Sequence, residues 1–197
     1  MPKIVDHDER RERIALAACR AIGRFGFERV TLVQIAREAG FTTGMVTHYF
    51  PNKQAVLVAA LRSILNRVHR RLERRMESED VDLLDLISEF LPTDQDRRAE
   101  TAAWVAFWGA VAVDPEMDAV NREVHEEASR LFEQSLRAGW PETGSWTEER
   151  LNATRQSLQI FVNGIAASAT TSPKSWPESL QRKLINRHLR QIRYNDA

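Results

Sequence analysis

Apolar side chains recur at helical spacing from one end of the chain to the other, and no segment shows the two-residue alternation of a strand. Gly26, Gly40 and Pro51 interrupt this pattern in the first part of the chain, where each is a typical end of a helix. The pattern predicts an all-α protein of about nine helices. Their expected ranges are 8–25, 32–39, 43–50, 53–76, 83–91, 97–113, 115–138, 147–170 and 177–194, with a loop at 139–145.

The second and third predicted helices have the layout of a helix-turn-helix. Thr31 is suited to cap the second helix, and Gly40 permits the tight turn that follows it. The inward set of the third helix is Val46, Tyr49 and Phe50, with Met45 in part, and the outward set is Thr42, Thr43, Gly44, Thr47 and His48. A face of hydroxyl groups, with a glycine that allows close approach, suits the major groove of DNA. For His48 alone, an ordinary surface position is the alternative.

The charge is distributed unevenly along the chain. Residues 1–75 contain 15 Lys and Arg against 7 Asp and Glu, whereas residues 76–197 contain 13 against 21. We therefore expect only the first part to attract a polyanion, with a chance distribution of solvated charge as the alternative. The basic residues placed to attract phosphates are Arg10, Arg11, Arg13, Arg24, Arg29, Arg37 and Lys53.

Composition argues against several other classes of protein. The single cysteine, Cys19, rules out an intrachain disulfide and a cysteine-based zinc cluster. The longest uncharged apolar run, Thr101–Val113, is shorter than the roughly 20 residues of a membrane-spanning helix, and no targeting segment is visible. No catalytic triad, metal-binding pair or phosphate-binding loop is evident. We expect a cytoplasmic protein that has no enzymatic activity, binds no metal or cofactor, and does not associate with membranes.

Residues 11–61 resemble the N-terminal domain of the TetR/AcrR family of transcriptional regulators, without a gap. The shared residues are Gly26, Thr31, Ile35-Ala36, Ala39-Gly40, Tyr49-Phe50 and Lys53. The resemblance implies that Lys53 and Tyr49 contact phosphates, that Thr31 caps its helix near the DNA backbone, and that the third helix enters the groove. The predicted DNA-binding residues are Thr31, Gln34, Thr42, Thr43, Gly44, Met45, Thr47, His48, Tyr49 and Lys53.

The same resemblance implies two domains. Residues 1–52 are expected to form the DNA-binding domain, and residues 53–197 a helical ligand-binding and dimerisation domain, with helix 53–76 connecting the two. Thr101–Val113 is apolar on all sides, which predicts a helix buried on all sides. This segment also resembles that of the choline-responsive regulators of the betaine pathway, a subgroup of the family.

Trp104, Phe107 and Trp108 share one face of that helix and are candidates for the wall of an effector pocket. Core packing is the alternative for these rings. A quaternary ammonium effector would be held by cation–π attraction, worth about 0.5–2 kcal/mol for each contact. Glu123 and Glu127 could balance its charge, with a solvated acidic face as the alternative.

The last two long helices carry apolar stripes that, by the same resemblance, form a dimer interface. The residues predicted to lie in it are Leu158, Phe161, Val162, Ile165, Leu184 and Ile185. The alternative is that they only close the core of one chain. We expect a homodimeric repressor that a small-molecule effector releases from a palindromic double-stranded DNA operator. The alternatives are an activator, a nucleoid-type DNA binder, and an all-α enzyme or ligand carrier.

Overall fold

A computed structural model describes residues 4–112, 114 and 117–194, and in this part the chain forms nine α-helices and one 3-10 helix without a strand. The helices are α1 (Ile4–Phe25), α2 (Leu32–Ala39), α3 (Thr43–Tyr49), α4 (Lys53–Met76), α5 (Leu83–Ser88), α6 (Gln95–Val111), α7 (Asp118–Gly139), the 3-10 helix Pro141–Ser145, α8 (Glu148–Thr171) and α9 (Glu178–Tyr194). The all-α prediction is therefore confirmed. None of the described helices is long and apolar enough to cross a membrane.

The contacts between Cα atoms divide the chain into two compact units. The head unit comprises residues 1–66 and 99–124, and the body unit comprises residues 67–98 and 125–197. The first part of α4 and most of α6 therefore belong to the head unit. The predicted functional boundary at residue 52 stays a prediction.

The core of the head unit is built around α1, whose inner face is made of small and branched side chains. Ile14, Ala18 and Ile22 of this helix have almost no exposed surface. The two isoleucines fill the interior, the small Ala18 leaves room beside them, and α2 contributes Ile35 while α4 contributes Leu61 to the buried set of this unit.

Two glycines end helices of the head unit, as the sequence predicts. Gly26 and Gly40 have φ angles of 82° and 71°, a left-handed conformation that other residues adopt only with strain. After α2, the amide of Gly40 donates to the carbonyl of Arg37, and the amide of Phe41 donates to the carbonyl of Ala36. These bonds close the helix and fix the turn that leads into α3.

The core of the body unit is formed by α5, α7, α8 and α9. Its buried residues are Leu83, Ile87, Leu91, Phe132, Leu136, Trp140, Leu158, Val162, Ile165, Ile185 and Leu189. Phe90 stacks on Phe132 with ring centroids 4.1 Å apart, and Trp140 lies 6.0 Å from Trp146. Large aromatic side chains thus fill the interior of this unit.

Many helix boundaries differ from the predicted ones by a few residues, and three of the differences have consequences for the interpretation. Helix α1 begins at Ile4 rather than near Asp8, and 141–145 forms a 3-10 helix rather than a loop. Helix α5 ends at Ser88 and continues only as turns to Leu91, because Pro92 has no amide hydrogen and disfavours helical geometry before it. The predicted bounds at 113 and 115 lie outside the described residues.

Helix α6 is buried on one side only, so the prediction of burial on all sides is wrong. Phe107 is fully buried, whereas Trp104 and Trp108 are half-buried, and Gly109 is exposed. A uniformly apolar segment shows no periodicity, and the sequence alone cannot say which face the fold covers.

Gly139 marks a close approach of α7 to α5 within the body unit. A Cβ atom at this position would lie 2.7 Å from the Cα of Leu83, so the backbone would have to move to remove the clash. We expect Gly139→Ala to lower the free energy of unfolding by about 1–3 kcal/mol, measured by urea denaturation at one protein concentration. Gly109→Ala is the matched control, because it has open space and should gain about 0.5–1 kcal/mol of helix stability. Equal effects of the two substitutions would contradict this packing.

Candidate nucleic-acid interface

Helix α3 is held in the head unit by its apolar side. Val46 is fully buried, Phe50 nearly so, and Tyr49 retains only 7% of its exposed surface. The hydroxyl of Thr42 caps the helix by accepting a hydrogen bond from the amide of Met45 at 3.1 Å. The predicted inward set is therefore confirmed.

The opposite side of α3 faces outward with small and polar groups. Gly44, Thr47 and His48 are exposed, and Thr43 and Met45 are half-buried. The Thr47 hydroxyl donates to the carbonyl of Gly44 at 3.1 Å, which leaves its oxygen free to accept a further bond. This surface is flat enough at Gly44 and polar enough around it for a groove of DNA.

Thr31 and Gln34 form a reciprocal capping box at the start of α2. The amide of Gln34 donates to the Thr31 hydroxyl at 3.3 Å, and the amide of Thr31 donates to Oε1 of Gln34 at 2.8 Å. Two backbone donors that a helix start leaves without partners are satisfied in this way. The predicted cap is confirmed, while direct contact of either residue with DNA stays a prediction.

Lys53, at the start of α4, reaches back to the segment between α1 and α2. Its Nζ donates to the carbonyl of Glu28 at 2.7 Å. Asn52 caps the same helix, since its Oδ1 accepts from the amide of Ala55 at 2.8 Å. The ammonium group predicted to contact phosphate is thereby held beside the helix-turn-helix.

Several arginines predicted to attract phosphate also have partners inside the head unit. Arg11 donates to the carbonyl of Tyr49 at 3.0 Å and lies over the ring of Phe50. Arg13 lies 4.7 Å from the ring centroid of Phe41, and Arg24 pairs with Glu38 at 3.3 Å. These side chains fix α1 against α2 and α3, and their positive charge still adds to the local potential.

His7 is a candidate that the sequence did not single out. Its ring lies 4.6 Å from Tyr49 and 6.1 Å from His48, so it adjoins the outer end of α3. The signal was missed because the predicted start of α1 near Asp8 left His7 outside any element. An earlier helix start places this imidazole beside the predicted DNA-binding surface.

The aromatic face of α6 divides into a buried ring and two half-buried ones. Phe107 is fully buried and packs against Phe27 with ring centroids 5.7 Å apart. Trp104 lies 5.9 Å from Phe107 and 6.5 Å from Trp108. Two grooves of about 390 and 450 Å³, one in each unit, are lined by other residues. A pocket at the tryptophans stays a prediction.

The two carboxylates predicted to balance a cation already have arginine partners. Arg62 donates two hydrogen bonds of 2.7 Å to Glu123, which raise the pKa of Arg62 and lower the pKa of the Glu123 carboxyl. Glu127, in the body unit, pairs with Arg130 one turn along α7. Their assignment to a ligand pocket therefore also stays a prediction.

Four of the six residues predicted for a dimer interface are buried within the chain itself. Leu158, Val162, Ile165 and Ile185 belong to the core of the body unit and have little or no exposed surface. Their assignment to a dimer interface stays a prediction. Phe161 and Leu184 are half-buried, and Ile160, which the sequence did not single out, is 72% exposed.

The exposed polar side of α3, its buried apolar backing and the capped α2 before it define a helix-turn-helix DNA-binding protein. Comparison with protein families gives the class in more detail. Residues 14–60 match the model for bacterial regulatory proteins of the tetR family, and residues 79–193 match that for the C-terminal domain of BetI-type transcriptional repressors. The chain belongs to the TetR family and is a DNA-binding transcriptional repressor with a BetI-type C-terminal domain.

Individual relatives resemble the chain over almost its whole length. The HTH-type transcriptional regulator BetI of Escherichia coli (strain K12) is 27% identical, over 96% of this chain and 98% of the relative. Its counterpart in Klebsiella pneumoniae (strain 342) is 25% identical over 97% of both chains. These comparisons place the chain among transcriptional regulators rather than in an enzyme family, and they confirm the resemblance stated from the sequence.

Solved structures show the same fold. A transcriptional regulator from Saccharomonospora viridis in complex with choline superposes with a TM-score of 0.74 at 22% identity, covering 95% of this chain and 97% of the other. A transcriptional regulator from Rhodococcus sp. Rha1 gives 0.72 at 23% identity, covering 92% and 95%.

Proposed function

We propose that the protein acts in the cytoplasm as a homodimeric repressor that a small cationic effector releases from a palindromic operator. The observation that carries this proposal is the outer face of α3, where Gly44, Thr47 and His48 are exposed while the apolar side of the helix is buried. A seven-residue helix gives little specificity alone. Two copies about one turn of DNA apart read a palindrome, which requires a dimer.

The outer side of α8 together with α9 is the proposed dimer surface. Ile160 is largely exposed there, and Gly164 has open space around it. The half-buried Phe161 stacks on His188 of α9 with ring centroids 4.0 Å apart, which joins the two helices at one edge. An exposed apolar residue beside a glycine favours close contact with a second copy of the same surface.

Dimerisation is expected to depend on Ile160. In a two-fold interface Ile160→Asp removes two buried side chains, each worth roughly 1.5 kcal/mol, so the dimer dissociation constant should rise about 100-fold. Analytical ultracentrifugation measures this constant. Asn152→Asp, an exposed position elsewhere on α8, is the matched control for added charge. A variant Ile160→Asp that remains as dimeric as this control would refute the surface.

The proposed effector is a quaternary ammonium compound bound at Trp104 and Trp108. Both indoles are half-buried on α6, which leaves aromatic surface for a cation. The similar structure with bound choline supports this class of ligand. Because Glu123 is already paired with Arg62, aromatic faces rather than free carboxylates would hold the cation.

Selection from a random-sequence DNA library, followed by choline titration, tests the function. We expect one palindromic motif, and we expect millimolar choline to weaken binding to it. Recovery of no palindromic motif would refute the proposed dimeric reading of an operator. A motif whose binding choline does not change would leave the repressor and remove this effector.

A further inference from the structure

Helix α6 is seated directly on the end of α1 within the head unit. Phe107 of α6 is fully buried, and its ring centroid lies 5.7 Å from that of Phe27. One and a half turns earlier, Ala102 approaches Gly23 so closely that a Cβ atom on the glycine would lie 3.1 Å from the alanine Cβ. A helix packed this tightly cannot shift without moving what it touches.

Phe27 belongs to the connector, residues 26–30, which joins α1 to the cap of α2. The connector is a closed turn, since the amide of Val30 donates to the carbonyl of Gly26 at 3.2 Å, and Val30 is buried. The carbonyl of Glu28 accepts the hydrogen bond from Lys53 at 2.7 Å. The same short turn therefore touches α6 on one side and the predicted phosphate contact on the other.

The tryptophans of the proposed effector site share α6 with Phe107. The Trp104 ring lies 5.9 Å from the Phe107 ring, in an edge-to-face arrangement. A ligand that pushes the Trp104 ring inward therefore displaces the Phe107 ring, because a close-packed interior has little free space for the indole.

We propose that Phe27 is a positioning residue that couples the aromatic face of α6 to DNA binding through the connector. This rests on the proposed function, which assigns the effector to the tryptophans and a phosphate contact to Lys53. A shift of Phe107 moves Phe27, the turn moves with it, and the ammonium group of Lys53 and the cap at Thr31 leave their DNA-binding positions.

This route acts within one subunit. The alternative route is a change in the distance between the DNA-binding domains of two subunits, transmitted along α4, and it requires a dimer. The connector requires only residues of one head unit. Coupling through the connector is also reciprocal, so DNA binding must change the environment of α6 even when no effector is present.

The coupling is measured as the ratio of operator affinities without and with saturating choline chloride, using the DNA that the protein selects. We expect a ratio of about ten or more in the unaltered protein and less than about three in Phe27→Leu. The affinity of Phe27→Leu for choline alone and for DNA alone should each change less than threefold. A purely structural role would instead weaken both affinities. Phe25→Leu is the matched control, because Phe25 is 37% exposed and lies at the end of α1, two residues before Phe27.

Amide hydrogen exchange of residues 99–111 provides a measurement that does not depend on choline. Operator binding should change this exchange at least twofold in the unaltered protein and in Phe25→Leu, but not in Phe27→Leu. The same change in exchange in all three proteins, or no change in any of them, would refute coupling through the connector. Failure of choline to bind would instead remove the proposed effector, and the exchange result would still decide the connector.

Discussion

Gly44→Leu is expected to lower operator affinity at least about 100-fold while leaving the fold and the stability of the protein intact. A Cβ atom at Gly44 would meet only the Thr42 hydroxyl oxygen, at 3.9 Å, so the head unit has room for a side chain. The major groove has no room for a leucine side chain at this position, because α3 must approach base edges within hydrogen-bonding distance. Specific sites bind typically 10³–10⁷ times more tightly than other DNA, and a reading helix held away loses most of that ratio.

Fluorescence anisotropy with the selected operator measures the affinity, and urea denaturation measures the stability of the same preparation. Gly144→Leu is the matched control, because Gly144 has no neighbour within 4 Å and lies in the 3-10 helix of the body unit, away from α3. It should bind DNA as the unaltered protein does. Operator affinity of Gly44→Leu within threefold of this control would show that α3 does not enter the groove.

The helix-turn-helix could be predicted almost residue by residue, because local chemistry determines it. Thr31 caps α2, Gly40 ends it in a left-handed conformation, and Pro51 follows the end of α3. The predicted end of α5 was wrong because the apolar stripe continues to Leu91. Pro92 disfavours helical geometry in the residues before it, so the helix ends earlier.

The parts of the site that depend on distant residues could not be predicted. The bond from Lys53 to Glu28 and the contact of His7 with Tyr49 join positions far apart in sequence. Helical periodicity also reveals an apolar face without revealing what covers it. Leu158 and Ile185 lie on such faces, and they pack within their own chain, while the exposed Ile160 stands on the opposite side of α8.

Glu89 is expected to carry the largest single contribution to stability among the charged residues described. Its carboxylate is only 3% exposed and meets three guanidinium groups in the body unit: Arg71 at 3.2 Å, Arg75 at 3.0 Å and Arg97 at 2.6 Å. Arg71 and Arg75 lie on α4, and Arg97 lies at the start of α6. The carboxylate thus joins two helices to the turn after α5.

Glu89→Ala should lower the free energy of unfolding by about 3–5 kcal/mol, because removing one partner of a buried pair leaves buried charge without compensation. Three arginines would then face one another around a cavity. The loss should fall near the lower value, since Arg97 keeps Asp94 at 3.1 Å and Arg71 keeps the carbonyl of residue 89. Urea denaturation at fixed protein concentration measures it.

Asp96→Ala provides the contrast between a buried and an exposed ion pair. Asp96 is 73% exposed and lies 3.7 Å from Arg67, so its removal should cost less than about 1 kcal/mol. Glu89→Gln keeps the shape of the side chain and removes only its charge. Its loss in free energy of unfolding should lie between those of Asp96→Ala and Glu89→Ala. If Glu89→Gln were as stable as the unaltered protein, hydrogen bonding rather than charge would hold the three arginines. If Glu89→Ala cost no more than Asp96→Ala, the arginines would be solvated without Glu89, and its burial would have no energetic consequence.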